Sequence, residues 1–434
     1  MRISTSMIYD TGIAGIQQQL QNQMQLQQQV SSGLRVTKPS DDPVAAAQVL
    51  NIQQAQAIND QYNTNGSTAN AQLGLEDSAL SDLTTLLQNA KTQAVYAGNG
   101  VLSNSDRASL AAQLQQSYQQ MLSISNRTDG NGQYLFAGYH GATAPFSESS
   151  PGTVAYAGDS GQRQVQIGAG ANVAVSDSGD AVFRAIKNGN GTFAAASGGG
   201  NTGTGVIGPG TVVAAANWNA AGNPQNFTVK FNVDNSVTPP VTTYDIVDNV
   251  NNKSLLTGAA PGAGPYLRTY VPGGTINLKT QSPPDTNPVP FDYGAAVSID
   301  GAPANGDTFT VKASVNQDIF STLHGLITTL QTGTTGGASN AAYQNGLNAA
   351  LSGIDNALNS VLTVRASAGA REQQVTAAQS TAQNLSIQYK KNVSGLQDLD
   401  LAKAISDVNQ QQVSLQAAEQ SFVKVTSLNL FSLL

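Results

Sequence analysis

The sequence IQQQLQNQMQLQQQVSSGLRVTKPSDDP, residues 16–43, decides how the start of the chain folds. Nine of the thirteen residues from 17 to 29 are glutamine, and no charged residue occurs from residue 11 to residue 34. Apolar residues and glutamines alternate here in steps of three and four, which predicts an amphipathic helix. The stripe consists of Ile13, Ile16, Leu20, Gln23, Gln27, Val30 and Leu34.

A second stripe with the same spacing lies near the end of the chain, and it also carries glutamine. A glutamine side chain both donates and accepts hydrogen bonds, whereas an unpaired buried charge is costly. The uncharged polar face therefore predicts helices that are packed on several sides by other copies or by sister proteins. We predict that this assembly interface contains Ile13, Ile16, Leu20, Val30, Leu34, Leu401, Val408, Leu415, Phe422 and Val425.

The PSDDP motif that ends the first stretch holds two adjacent carboxylates, Asp41 and Asp42. A catalytic acid/base pair is one interpretation, but a helix start explains the motif better. Asp42 is a good N-cap residue, and Pro43 fits the first helical position, where its missing N–H does no harm. Arg35 and Lys38 are expected to pair with these aspartates, weakly if the pairs are exposed.

The distribution of proline separates two helical flanks from a different middle. Fourteen of the sixteen prolines lie between residues 145 and 303. Because proline costs about 3 kcal/mol inside a helix, only the flanks can form long helices. We predict one such helix from about residue 341 to 394, and another that is capped by Ser105. Alternating runs such as NFTVKFNV (226–233) and GDTFTVKASV (306–315) predict strands in the middle.

This order of elements predicts an α+β fold. The two chain ends form a long antiparallel helical bundle and a terminal coiled coil, and a β-rich outer domain is inserted between them. The predicted domains are a terminal coiled-coil segment (1–42 with 398–434), a helical bundle (43–140 with 315–397) and a β-rich insert (141–314). A glycine-rich tract near 195–210 indicates a linker or long loop that subdivides the insert.

Composition argues against several classes of protein. A net charge of −7 with 11% charged residues lacks the basic stripe of a nucleic-acid binder, and no basic cluster would attract a membrane. No transmembrane span or signal peptide is recognisable, so secretion would need a route without a cleaved signal. The absence of cysteine excludes disulfides and thiolate chemistry.

The sequence predicts no enzyme, because no catalytic, cofactor-binding or metal-binding constellation is recognisable. Neither His140 nor His324 stands in a metal-ligand spacing, and both are expected at the surface or its boundary. The sequence GTGVIG (203–208) matches a dinucleotide-binding pattern. Since a Gly/Ser/Asn tract precedes it and Pro209 follows it, we interpret the match as chance.

Four segments of the sequence resemble the flagellin superfamily, and within it the hook-associated protein 3 family. They lie at both ends of the chain and at the start of its middle. The segments are SSGLRVTKPSDDPVAAA (31–47), NGQYLFAGYHGATAPF (131–146), YAGDSGQRQVQIGAGANVAVSDSGDAVF (156–183) and LDLAKAISDVNQQQVSLQAAEQSFVKVTSLNLFSLL (399–434).

This resemblance implies a structural adaptor of the bacterial flagellum. Family members join hook-associated protein 1 on one side and flagellin on the other, and they associate with copies of themselves in a ring or helical lattice. The resemblance also implies a flagellar export chaperone, secretion through the flagellar type III channel, and an extracellular place in the axial structure.

Three other functions stay open at this point. Filament flagellin is the nearest, although the PSDDP, YLFAG and LNLFSLL sequences favour the adaptor. A binding module or adhesin in the β region lacks an aromatic cluster, since Trp218 is the only tryptophan. An enzyme within the insert has no residue constellation to support it.

Overall fold

Helices form both flanks of the chain, and short strands fill its middle. The structure is a computed structural model that describes residues 5–427. The predicted α+β class is confirmed, whereas the LNLFSLL ending lies outside the described residues. The helices are α1 (Thr5–Ser32), α2 (Pro43–Ala97), α3 (Asn104–Ser125), α4 (Ala215–Trp218), α5 (Ile319–Gln331), α6 (Gly337–Gln397) and α7 (Leu401–Ser427), with a π-helical turn at Asp180–Arg184.

The strands pair antiparallel and occupy the chain between α3 and α5. They are β1 (Phe146–Ser150), β2 (Thr153–Tyr156), β3 (Gln164–Gly168), β4 (Ala171–Ala174), β5 (Ile186–Lys187), β6 (Phe193–Ser197), β7 (Val206–Ile207) and β8 (Thr211–Val212). The others are β9 (Asn226–Asp234), β10 (Val241–Asp248), β11 (Lys253–Ser254), β12 (Arg268–Thr269), β13 (Thr275–Lys279), β14 (Asp292–Asp300), β15 (Thr308–Ala313) and β16 (Asn316–Gln317).

Helix α6 is longer than predicted and continues through its glycines without a break over 61 residues. Two of these glycines allow α5 to approach closely. A Cβ atom at Gly346 would lie 2.5 Å from Thr329 Oγ1, and one at Gly353 would lie 2.7 Å from Thr322 Cγ2. The helix therefore keeps glycine there for packing, at a cost of about 1 kcal/mol each in helix propensity.

Helix α3 begins with a capping box. The Ser103 hydroxyl accepts the N–H of Asp106 over 3.2 Å, and the Asp106 carboxylate accepts the N–H of Ser103 over 3.0 Å. The predicted cap at Ser105 is thus wrong by two residues, because Ser103 is the serine that stands three positions before an acidic residue.

The chain forms two compact units, and each is described by itself. In the described chain, the first unit contains residues 5–67, 166–171 and 375–427. Within it, α2 and α6 are joined by a hydrogen bond of 2.7 Å from Asn59 Nδ2 to the Ala382 carbonyl. The second unit contains Thr68–Val165 and Asn172–Gln374.

One core of the second unit is built from helices and the segments that follow α3. It buries the leucines of α2 with α3, α5 and α6. At its end four phenylalanines pack together, namely Phe136, Phe146, Phe183 and Phe320. The ring of Phe146 lies 5.1 Å from that of Phe183 and 5.4 Å from that of Phe320. Such contacts are typical of a rigid aromatic cluster.

The other core of the second unit lies between β-sheets. The strand order of the larger sheet is β11-β10-β9-β15-β6, with β12 paired to β10, and the smaller sheet has the order β13-β14-β7, with β8 paired to β14. Alternate residues of β9, Phe227, Val229 and Phe231, are fully buried, as its alternating sequence predicts. Trp218 is also buried there.

The glycine-rich tract is a long loop whose backbone is bonded to the rest of the β core. It carries β7, and its backbone is held by a carboxylate: Asp307 accepts the N–H of Thr202 over 2.8 Å and that of Gly203 over 3.0 Å. Since the β core already begins at Phe193, the tract lies inside this core region and does not precede it.

Candidate assembly interface

Helices α1 and α7 pack side by side and antiparallel within the first unit. Near their middles, Gln411 Nε2 donates to the Gln19 carbonyl over 3.3 Å. Toward the start of α1 and the end of α7, the rings of Tyr9 and Phe422 lie 5.3 Å apart, edge to face. These two contacts show that α1 and α7 run in opposite directions.

The contact between the two helices follows a heptad-like spacing of three and four residues, which is typical of a coiled coil. We call the buried and half-buried residues that recur at this spacing on the two paired helices the terminal seam. Its members are Gly12, Ile16, Gln19, Gln23, Leu26 and Val30 of α1, and Ala404, Val408, Gln411, Leu415, Ala418 and Phe422 of α7.

Glutamines form a polar layer in the middle of the terminal seam. Gln19, Gln23 and Gln411 are half-buried, and Gln19 Oε1 is buried without a hydrogen-bond partner. A buried polar layer weakens a coiled coil but fixes its register. A charged group in place of Gln19, Gln23 or Gln411 would cost more than the amide does, whereas most other glutamines of the stretch are exposed.

The predicted interface residues divide into two groups. Ile16, Val30, Val408, Leu415 and Phe422 lie in the terminal seam, and Leu34 is half-buried just after α1. The other group faces outward: Ile13 is 42% exposed, Leu20 47%, Leu401 50% and Val425 50%.

Four of the exposed apolar residues of α1 form a line of their own. We call Tyr9, Ile13, Leu20 and Met24 the outer stripe; they are separated by four, seven and four positions, and all are exposed. Residues at these spacings share one face of a helix. The first unit therefore presents an exposed apolar face beside the terminal seam.

Sequence reasoning missed Gly12, Gln19 and Leu26 as seam residues. Two neighbouring stripes with the same spacing fit α1, and glutamine occurs in both. Gly12 was the available signal, since a glycine can mark a close approach of a bulky side chain. Here that side chain is the Phe422 ring.

The PSDDP loop connects α1 to α2 and to the end of α6. Asp42 Oδ1 accepts the N–H of Ala45 over 3.0 Å, so it caps α2, which begins at Pro43. Arg35 pairs with Asp42 over 3.1 Å and also donates to the Leu396 carbonyl over 2.7 Å. The Ala45 N–H first and Arg35 second hold the pKa of Asp42 below its ordinary value.

Asp41 stabilises the same loop by accepting hydrogen bonds from Thr37 and Lys38. Its Oδ2 accepts the Thr37 hydroxyl over 2.8 Å, the Thr37 N–H over 3.0 Å and the Lys38 N–H over 2.8 Å. The Thr37 hydroxyl first and the Lys38 N–H second hold the pKa of Asp41 below its ordinary value. Asp41 thus accepts bonds from its own loop, and the pair is not arranged as a catalytic acid and base.

The described chain holds neither a cluster of metal ligands nor a membrane-spanning helix. Between residues 5 and 427, no three His, Asp or Glu side chains stand together as metal ligands would. Within the same range, no helix has the length and apolar character that crossing a membrane requires. The arrangement that stands out is the paired terminal helices with their outer stripe.

Family comparisons agree with this arrangement at both ends of the chain. The bacterial flagellin N-terminal helical region matches residues 3–141, and the bacterial flagellin C-terminal helical region matches residues 351–434. Together they account for just over half of the chain. This chain belongs to the flagellin superfamily.

Curated members of the flagellin superfamily are similar over a shorter stretch. Flagellar hook-associated protein 3 of Escherichia coli (strain K12) and that of Salmonella typhimurium (strain LT2) are each 43% identical over 188 residues. The alignment spans 43% of this chain and 58% of either relative. The chain thus matches somewhat more than half the length of these curated relatives.

Solved structures of superfamily members are similar over most of the chain. The flagellar junction protein FlgL of Legionella pneumophila is 29% identical, with a TM-score of 0.67 over 81% of this chain and 100% of that chain. FlgL of Xanthomonas campestris is 29% identical, with a TM-score of 0.66 over 79% and 99%.

Proposed function

We propose that this chain is a structural subunit of the bacterial flagellum that joins the hook to the flagellin filament. The observation that carries the proposal is the outer stripe beside the terminal seam. The four side chains of one helix face stay exposed although the neighbouring face is already paired, and Tyr9, at the edge of this face, also touches Phe422 of α7. Relatives described as hook-associated protein 3 and as a flagellar junction protein support the same function.

The outer stripe has the chemistry of a surface that other helices cover. Ile13 and Leu20 are 42% and 47% exposed, and completing the burial of such a side chain contributes on the order of 1 kcal/mol. One copy gains little from this, but a symmetric array repeats the contact in every subunit. The predicted terminal segments 1–42 and 398–434 would form this inner layer.

The partners follow from the same surface. Copies of this chain would cover each other's outer stripes in a ring or helical lattice. Hook-associated protein 1 would continue the layer on one side and flagellin on the other. Before assembly, a flagellar export chaperone would shield the apolar residues during secretion to the extracellular axial structure.

A strain that lacks this chain tests the proposal by electron microscopy of its hooks and of the culture medium. We expect complete hooks without filaments and flagellin shed into the medium, and complementation should restore filaments. Hooks that keep their junction while no flagellin is made would instead identify the chain as filament flagellin. Normal filaments in the null strain would refute both assignments.

A further inference from the structure

Three charged side chains meet in the interior of the second unit. They are Glu76 of α2, Asp177 in the segment after β4, and Arg371 of α6. Glu76 is 2% exposed and Asp177 is 7% exposed, so water does not solvate either carboxyl group. Arg371 Nη2 donates to Asp177 Oδ2, and the N–H of Asp177 donates to Glu76 Oε1 over 2.8 Å.

The Arg371 guanidinium is bonded to the Asp177 carboxylate and does not pair directly with Glu76. Arg371 Nη1 donates to the Ala174 carbonyl over 3.1 Å, and Nε donates to the Ser367 carbonyl over 3.3 Å. Glu76 Oε2 is buried without a hydrogen-bond partner. With both carboxyls ionised, two negative charges therefore share one positive charge in the interior, which is unfavourable.

Asp177 and Arg371 are the charged groups that face Glu76 from the elements packed against it in the described chain. Burial, and then the negative charge of Asp177, raise the pKa of Glu76 to about 7 from an ordinary 4.5. Arg371 acts in the opposite direction but does not offset them. Glu76 thus changes its charge in the range where most other carboxyl groups stay ionised.

We propose that Glu76 is a proton-controlled latch, which holds the segment 174–178 between α2 and α6 while it is protonated and loosens it when it is ionised. The segment is well placed for such control. Its backbone is bonded to Glu76 at Asp177 and to Arg371 at Ala174. It leads directly into the π-helical turn that carries Phe183 of the aromatic cluster.

The direction of the pH effect follows from the raised pKa. A group whose pKa is higher in the closed state than in the open state binds its proton more tightly when closed. Its contribution to the closed state is complete below about pH 4.5 and is lost as the pH rises to about 7. The latch is therefore tight in acid and loose at alkaline pH.

Hydrogen exchange of the Asp177 amide, corrected for intrinsic exchange, tests the latch between pH 5 and pH 8. In the unmodified chain we expect the opening equilibrium to rise by roughly tenfold to a hundredfold over this range. In Glu76→Gln, which keeps the acceptor oxygen without the charge, the rise should be absent. At pH 8 this variant should also be better protected than the unmodified chain.

Asp77→Asn is the matched control, because Asp77 is the next residue of α2 and also pairs with an arginine. Its partner Arg365 lies 2.7 Å away, and both side chains are 37% exposed. This variant loses a carboxylate but should keep the pH profile of the unmodified chain. A profile that flattens equally in both variants would overturn the assignment to Glu76.

Carbon-13 NMR of the glutamate carboxyl groups provides a second readout that does not depend on local opening. The sequence holds only four glutamates, so each signal can be assigned. We expect one signal to titrate near pH 7 and to be missing in Glu76→Gln. If no glutamate signal titrates between pH 6 and pH 8, the latch is refuted even if exchange at Asp177 depends on pH.

Discussion

The ring of Phe422 lies where a side chain at Gly12 would stand. A Cβ atom built on Gly12 would be 2.6 Å from Phe422 Cδ2, closer than such atoms approach in proteins. Gly15, three residues further along α1, has no heavy atom within 4 Å of the same position. Substitutions at the two glycines therefore distinguish the effect of helix propensity from the effect of packing against Phe422.

We expect Gly15→Ala to stabilise the paired helices and Gly12→Ala to fail to do so. Alanine is favoured over glycine in a helix by about 1 kcal/mol. At Gly15 the full gain should appear, whereas at Gly12 the clash with Phe422 should cancel or reverse it. Rates of limited proteolysis within α1 measure the difference. Equal protection in both variants would contradict the antiparallel seam.

Leu20→Asp should abolish filament attachment while the isolated chain stays as stable as before. Leu20 is exposed in the outer stripe, and surface substitutions usually change stability by no more than about 0.5 kcal/mol. In an assembled layer the same aspartate would be buried without a partner, at several kcal/mol. Thermal melting and complementation of a null strain measure the two effects.

Asn409→Asp is the control for this variant, since it adds the same charge to an exposed position of α7, a helix that already carries charged residues such as Asp407. It should support motility. Leu415→Asp makes a different contrast, because Leu415 lies in the terminal seam and is 9% exposed. That variant should lose the α1–α7 pairing before any assembly. A motile Leu20→Asp strain would remove the outer stripe from the interface.

Asp41→Asn should loosen the PSDDP loop at neutral pH but make no difference in strong acid. The pKa of Asp41 is lowered by its bonds to Thr37 and Lys38, so its stabilising effect is present above the ordinary value of about 3.9 and disappears as the pH falls through the lowered one. Exchange of the Lys38 amide, compared between pH 7 and pH 2.5, measures this. A difference between the two chains that does not shrink at all between pH 7 and pH 2.5 would rule out the ionised carboxylate as its source.

Arg268→Met should destabilise the β core by about 3–5 kcal/mol, because it leaves a buried carboxylate unpaired. Arg268 donates to Asp285 over 2.6 Å and 2.9 Å, and the two side chains are 2% and 0% exposed. The double variant Arg268→Met with Asp285→Leu should recover part of this loss.

The exposed pair of Lys279 and Asp292, 3.2 Å apart, provides the comparison for the buried one. Lys279→Met should change the thermal stability by less than about 1 kcal/mol. A similar loss in Lys279→Met and in Arg268→Met would show that burial does not decide the strength of these pairs.

Much of the fold could be predicted from local patterns in the sequence, whereas the rest depends on contacts between residues that are far apart in the chain. The cap of α2 could be predicted because Asp42 and Pro43 are neighbours. The paired terminal helices could be expected from spacing alone, but which of two adjacent stripes faces the partner depends on Phe422, far away in the sequence. The cluster of Glu76, Asp177 and Arg371 could not be predicted either, since the three residues are far apart in the chain and no sequence pattern brings them together.

Removing the β core tests whether this part of the chain is needed to join filaments to hooks. A cut at the glycine-rich tract that removed residues 195–304 would take away most of the β core and leave Phe193, Phe309 and Val311 without most of the side chains they pack against. The structure supports a different cut. The part of the insert that forms the β core is entered and left at one place, where Asn188 N donates to the Val315 carbonyl over 3.0 Å and Asn188 Oδ1 accepts the Val315 N–H over 3.0 Å.

We therefore expect a short Gly/Ser linker in place of residues 190–313 to leave a folded chain that still joins filaments to hooks. The aromatic cluster and the helical core contain no residue of this segment, so their burial is kept. What is lost is a set of hydrogen bonds such as that from Ile207 N to Asn345 Oδ1, 2.8 Å long. Asn345→Ala in the full chain shows what the loss of that contact alone does. If the shortened chain melts normally and is secreted but hooks stay bare, the insert takes part in the joint, and the junction surface extends beyond the terminal helices.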